Sequence, residues 1–239
     1  MRGANLSRLE GNRYQEDHVG ISPEDEVVRI CQELIRIDTS NYGDNVGPGE
    51  RKAAEYTAGL IEEVGLSTQL FESAPGRTSV VARMEGSDPS LPALVVHGHL
   101  DVVPAQKEDW TVDPFGGEEK DGLIWGRGAV DMKDMDAMIL SVLRSMQRDG
   151  VKPRRDLIFG FFADEEAGGA YGASWLVDNK PEVFEGATEA ISEVGEGSRR
   201  PSAGSGRTSC RPRRRASPGS VSWRTVVPAT ARRSTPTTR

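Results

Sequence analysis

The sequence predicts an α/β fold with a largely parallel central sheet flanked by helices. Three short apolar runs, Ala93–His97, Leu157–Phe162 and Ala187–Ile191, have the composition of strands buried on both faces. Two helical patterns, Asp131–Arg148 and Gly169–Asn179, fall between them, and strands alternating with helices build parallel layers. At 239 residues the chain is long enough for a substantial core.

Residues 1–21 read as a polar leader without the continuous apolar stretch of a secretory signal. Ser22-Pro23-Glu24-Asp25-Glu26 then opens a helix: a capping serine, a proline in the first turn and acids facing the helix dipole. Val27, Ile30, Cys31, Leu34 and Ile35 follow at helical spacing, which places the Cys31 thiol in the core as a buried free cysteine. A loop rich in Asn and Gly, Ser40–Gly49, precedes a second amphipathic helix over about Glu50–Val64, stopped by Gly65. Two β-like runs come next, Ser67–Phe71 and Thr78–Met84. Trp110–Gly128 reads as a loop or hairpin, and the helix Asp131–Arg148 is expected to turn Met135, Met138, Ile139, Val142, Leu143 and Met146 inward.

Charge is distributed in two blocks. Met1–Glu196 carries 19 Lys and Arg against 37 Asp and Glu, whereas Gly197–Arg239 carries 11 Arg, no Lys and no acid. The acidic body argues against nucleic-acid binding, which needs clustered cations to neutralise phosphates. Two cysteines, Cys31 and Cys210, make no disulfide framework, and no window approaches the roughly 18 apolar residues of a membrane span. A soluble, cytoplasmic protein is expected.

Three motifs fall at the ends of the three buried runs: His97-Gly98-His99-Leu100-Asp101, Ala163-Asp164-Glu165-Glu166-Ala167 and Ile191-Ser192-Glu193-Val194-Gly195. Ligands of open α/β sheets bind beyond the carboxyl ends of the strands, so the three motifs should meet along one edge. A fourth motif, Gly126-Arg127-Gly128-Ala129-Val130-Asp131, sets Asp131 at a helix start. Imidazole and carboxylates are the donors that hard or borderline divalent metals take. Asp101 lies two residues from His99, close enough to fix the imidazole tautomer. Glu165 and Glu166 are adjacent and diverge, so one can bind metal while the other faces a water. Taken singly, each has a plainer reading: Asp131 as a helix cap, Glu165-Glu166 as solvated loop acids, His97 as a structural histidine and His18 as an exposed one.

The ordered strings HGHLDVVP, GRGAVDMKD, FADEEAGG and ISEVG, with the loop WTVDPFGGEEKDGLIWGRG, resemble the dizinc aminoacylase and carboxypeptidase family over about Ile21–Gly195. That family includes aminoacylases, glutamate carboxypeptidases, dipeptidases and succinyl-diaminopimelate desuccinylase. The resemblance implies a zinc-peptidase-like catalytic domain holding two Zn2+, with Co2+ as a substitute. It implies that His99 binds one zinc, Asp131 bridges both, Glu166 binds the other and Glu193 completes the first shell. Asp101 would orient His99, and Glu165 would be the general base. The implied reaction is hydrolysis of an amide or peptide bond next to a free carboxylate, in a small peptide or an N-acyl amino acid.

The family continues past the Glu193 motif with a lid or dimerisation domain bearing a further histidine, then a second half of the catalytic domain with a final zinc-binding histidine. Here the only histidines are His18, His97 and His99. The expectation is a partial catalytic domain over 22–196, truncated after the fourth motif, with the lid through which the family usually homodimerises absent. Its metal would be held weakly and its turnover slow or nil. Residues 197–239, rich in Arg, Ser, Pro and Thr, are expected to be a disordered basic tail. Three origins are open for it: a shifted reading frame, favoured because Arg, Ala, Gly and Pro are the residues that GC-rich codons specify, a genuine basic tail, or a linker. The rival to the enzyme reading is a non-catalytic metal-binding fragment or a basic-tailed binder of nucleic acid or other anions.

Overall fold

The computed structural model describes residues 22–193. The polar leader and the Arg-rich tail, with His18, therefore lie outside the described residues. Helix α1 (Pro23–Arg36) starts where the sequence places it. The Ser22 amide donates to the Asp25 carboxylate at 2.8 Å, and Ile30, Cys31, Leu34 and Ile35 are buried. Cys31 is a buried free thiol. Helix α2 (Arg51–Glu62) ends as Gly65 takes φ 82°, its amide bonding back to the Glu62 carbonyl.

Seven strands follow: β1 (Thr68–Ala74), β2 (Arg77–Met84), β3 (Ala93–His99), β4 (Glu118–Lys120), β5 (Leu123–Trp125), β6 (Leu157–Phe162) and β7 (Ala187–Ile191). Five build the main sheet in the order β1-β2-β6-β3-β7. Its centre is parallel, with β3 flanked by β6 and β7; β1 and β2 form an antiparallel hairpin whose second strand runs antiparallel to β6. The register pairs Gly98 with Phe161 and His99 with Phe162, so β3 and β6 end level with each other. The Trp110–Gly128 segment contains the two-stranded hairpin β4–β5.

One face of the sheet is covered by α1, α2 and α3 (Lys133–Arg148), enclosing a core that includes Leu34, Ile61, Val80, Leu140, Leu143 and Phe161. Among the described residues, the other face carries α4 (Ala173–Asn179) and a 3-10 turn (Pro181–Phe184), around Val95, Ile158, Phe162 and Leu176. A cavity of about 340 Å³ opens on that side, lined by Val95, His97, Phe162, Val177, Phe184 and Ala190. Among the described residues, no helix is long and apolar enough to cross a membrane.

Two expectations about helices need correction. Met138 and Val142 point outward, each 49% exposed, while the buried face of α3 runs through Lys133, Asp136, Ala137, Leu140 and Arg144. Remote partners satisfy two of these polar side chains: Lys133 Nζ donates to the carbonyls of Leu34 and Ile37, and Arg144 pairs with Glu26, whereas both Asp136 carboxylate oxygens are buried without a hydrogen-bond partner among the described residues. The helix expected over Gly169–Asn179 begins only at Ala173. Gly168 and Gly169 adopt positive φ, and the preceding residues form the turn that carries Glu165 and Glu166.

Candidate metal centre

The site lies at the carboxyl ends of β3, β6 and β7. His99 is the last residue of β3 and is 2% exposed. Its Nδ1 sits 3.0 Å from the main-chain oxygen of Asp101, which can only accept, so Nδ1 carries the proton and Nε2 is turned to the site. The Asp101 carboxylate is farther, at 3.5 Å. Around Nε2 gather Asp131 Oδ1 at 3.0 Å, Glu193 Oε1 at 3.4 Å and Glu165 Oε2 at 3.7 Å. One donor atom each from His99, Asp131 and Glu193 falls within 4.8 Å of the others, so this cluster could hold a metal ion.

Each member arrives by a different route. Asp131 stands just before α3, two residues from the buried Lys133 whose ammonium ties that helix start to the end of α1. Gly128, at φ 84°, brings the chain in against Val102 and Lys133, where a Cβ would crowd both side chains. Glu193 follows β7. Glu165 and Glu166 follow Asp164, a non-glycine residue at φ 64°, whose turn is held by a bond from the Gly169 amide. Asp101, fully buried, accepts the Glu165 amide on Oδ1 at 3.0 Å and the Glu166 amide on Oδ2 at 3.1 Å.

The electrostatics are those of an acidic cluster around a single imidazole. Burial works against a charge on His99, but Asp101, Asp136 and Glu165 outweigh it and push the imidazole up to about 10. Burial, with Asp131 and Glu165 close by, raises the Glu193 carboxyl. Burial and Asp131 likewise push Glu166 up to about 7. For Asp101, burial is outweighed by the bonds from His99, Asn41 and Glu165, and its carboxyl lies below the usual value.

The structure thus brings His99, Asp131, Glu193 and Glu165 together, with Asp101 behind His99. Glu166 stands beside this group without joining the three-residue cluster, and its Oε1 is buried with no hydrogen-bond partner among the described residues. An orphaned carboxylate oxygen facing an acid-rich pocket fits a cation. His97 lies apart, lining the cavity on the thinly covered face with its ring centroid 5.2 Å from Phe162.

The sequence reading missed Asn41, Asp164 and Asp136. Asn41 was hidden in a loop whose composition signals only turns, and its partners lie 60 and 123 residues away. Asp136 is fully buried against β3, where a Cβ on Gly98 would collide with its carboxylate. Burial raises that carboxyl well above the ordinary value.

A profile of peptidase family M20/M25/M40 matches residues 95–219, just over half of the chain. The chain belongs to this family. The M20 match starts inside β3 and takes in all four motifs. Among curated proteins, the N-fatty-acyl-amino acid synthase/hydrolase PM20D1 of Xenopus tropicalis is 35% identical over 155 residues, 64% of this chain and 30% of that protein. Aminoacylase-1 of Sus scrofa is 34% identical over 156 residues, 65% of this chain and 37% of that one. Among solved structures, the M20 metallo-carboxypeptidase Sso-CP2 of Sulfolobus solfataricus shares the fold at a TM-score of 0.59 and 21% identity, over 70% of this chain and 37% of that one. The chain thus spans about a third of the length of these M20 relatives.

Proposed function

We propose that this chain carries the metal-binding and general-base part of a two-zinc hydrolase acting on an amide or peptide bond next to a free carboxylate, in a peptide or an N-acyl amino acid. The convergence of His99, Asp131 and Glu193 donors within 4.8 Å carries this reading. Family membership and the names of the relatives, an aminoacylase and an acyl-amino-acid hydrolase, support it.

In this reading His99 and Glu193 would hold one Zn2+ and Glu166 a second, with Asp131 serving both, and Co2+ could substitute. Zinc, when bound, would polarise the scissile carbonyl and lower the pKa of a water. Glu165 is the general base, because its carboxylate faces the donor cluster while its side chain stays 55% exposed, within reach of substrate. It accepts the proton of the attacking water and returns it to the departing nitrogen. Asp101 keeps the Nδ1 proton of His99 in place through its main-chain oxygen and holds the Glu165 and Glu166 amides through its carboxylate.

With a single imidazole in the cluster among the described residues, this chain by itself is proposed to hold the metal loosely and to turn over slowly. The test is zinc stoichiometry together with dipeptide and N-acyl-amino-acid hydrolysis on the purified chain, with Glu165→Gln as control. Zinc uptake, with any turnover reduced at least about 100-fold by Glu165→Gln, is expected. Turnover indifferent to Glu165→Gln would overturn the base assignment, and no zinc uptake at all would overturn the metal reading.

A further inference from the structure

Asn41 is buried at 5% exposure between two loops distant in sequence. Its Nδ2 carries two hydrogens, and the structure places an acceptor for each: Asp101 Oδ2 at 2.8 Å, on the loop after β3, and Asp164 Oδ1 at 3.0 Å, on the loop after β6. Its Oδ1 accepts from Arg77 Nη2 at 2.9 Å and from the Gly43 amide at 3.1 Å. All of the side chain's hydrogen-bonding capacity is therefore used, and Arg77 fixes which end of the amide faces the carboxylates. Arg77 is itself immobilised by an ion pair with the fully buried Glu50 and by Asn45 Oδ1 at 2.9 Å. The main chain is anchored too: the Asn41 amide donates to the Val102 carbonyl at 2.9 Å, and the Val102 amide to the Thr39 carbonyl at 3.2 Å.

We propose that Asn41 is a positioning residue for the metal site, a clamp that sets the spacing between the β3 loop holding His99 and the β6 loop holding Glu165 and Glu166. Two buried carboxylates repel unless something donates to both, and this amide does so without adding charge. Asp101 passes the constraint on, because the same carboxylate receives the Glu165 and Glu166 amides. Asn41 touches none of the proposed metal donors, so it acts through Asp101 and Asp164. The effect on zinc rests on the functional reading above; the clamp itself does not.

The test has one metal-free arm and one zinc arm, both on the full chain. In chelator-treated protein, the hydrogen exchange of the Glu165 and Glu166 amides is compared in wild type, Asn41→Ala, Asn41→Asp and Ile61→Ala. Ile61→Ala removes buried volume from α2 and serves as a destabilised control. Both Asn41 variants should exchange at least about 10-fold faster at these two amides, while the control should leave them protected relative to its own global stability. In the wild type alone, which needs no variant to fold, both Asn41 side-chain amide protons should be protected from exchange. In the second arm, chelator competition should show zinc bound about 10–100-fold more weakly by the Asn41 variants and within twofold of wild type by the control. Unchanged exchange at Glu165 and Glu166, an equal change in Ile61→Ala, or unprotected Asn41 side-chain protons would overturn the clamp. If wild type takes up no zinc, the metal reading fails, and the exchange arm still decides the clamp.

Discussion

Asn41 joins two charged clusters that differ in their balance: in the first one carboxylate meets one guanidinium, and in the second several carboxylates share one imidazole. At Glu50 and Arg77 a buried carboxylate meets a buried guanidinium, which also donates to Asn41, Asn45 and Val46. At His99 the carboxylates of Asp131, Glu165 and Glu193 converge on one imidazole, and Glu166 keeps an unpartnered oxygen. The first arrangement pairs one carboxylate with one guanidinium, leaving Glu50 Oε2 as its one carboxylate oxygen without a hydrogen-bond partner among the described residues, and serves the fold. The second carries excess negative charge and can accept an ion from outside.

Breaking the first cluster should cost most. Arg77→Met strands the Glu50 carboxylate in the interior, and urea unfolding should show a loss of about 3–5 kcal/mol. The pH dependence of the same pair comes next. Burial pushes Glu50 up to about 7 against the pull of Arg77, starting from 4.5. Between those values the folded state holds a proton that the unfolded state has released, so this contribution is full below pH 4.5 and is lost as the pH rises to 7. The loss should total about 3 kcal/mol, and Glu50→Gln should flatten it in urea titrations run from pH 4.5 to 8.

Supplying the second cluster with a cation should stabilise the chain by about 2.7 kcal/mol at a hundredfold excess of zinc over Kd, read as a rise in Tm that chelator reverses. Removing one of its charges should act in the same direction without metal. Glu193→Gln is expected to stabilise chelator-treated protein by about 1 kcal/mol while weakening zinc binding, which marks a site held ready at a cost in stability. A flat Tm in both experiments would show that the two clusters are alike after all. Outside either cluster, Met138→Lys should change stability by less than about 0.5 kcal/mol, since that side chain is exposed.

The sequence showed where elements begin and end better than it showed which polar groups they bury. Apolar runs marked β3, β6 and β7, and because parallel strands finish at a common edge, the motifs after them were legible as neighbours. The inward face of α3 was not legible. Met138 and Val142 fit the apolar period as well as Ala137 and Leu140 do, and what decides is the burial of Lys133, Asp136 and Arg144. Those three were hidden because what packs against them, Glu26 and Leu34 of α1, Ile37 just after it and Gly98 of β3, is remote in the chain. Asn41 escaped for the same reason, as did the antiparallel course of β1 and β2, which turns on pairing with β6, about 80 residues on.

The ammonium of Lys133 reaches back 99 residues to the Leu34 carbonyl, and Asp131 stands two positions before it. The native position of Asp131 therefore depends on α1 being docked, a long-range closure of the kind that is slow to form. An ion arriving at that stage would act as a latch on a nearly finished fold and not as a template for starting one.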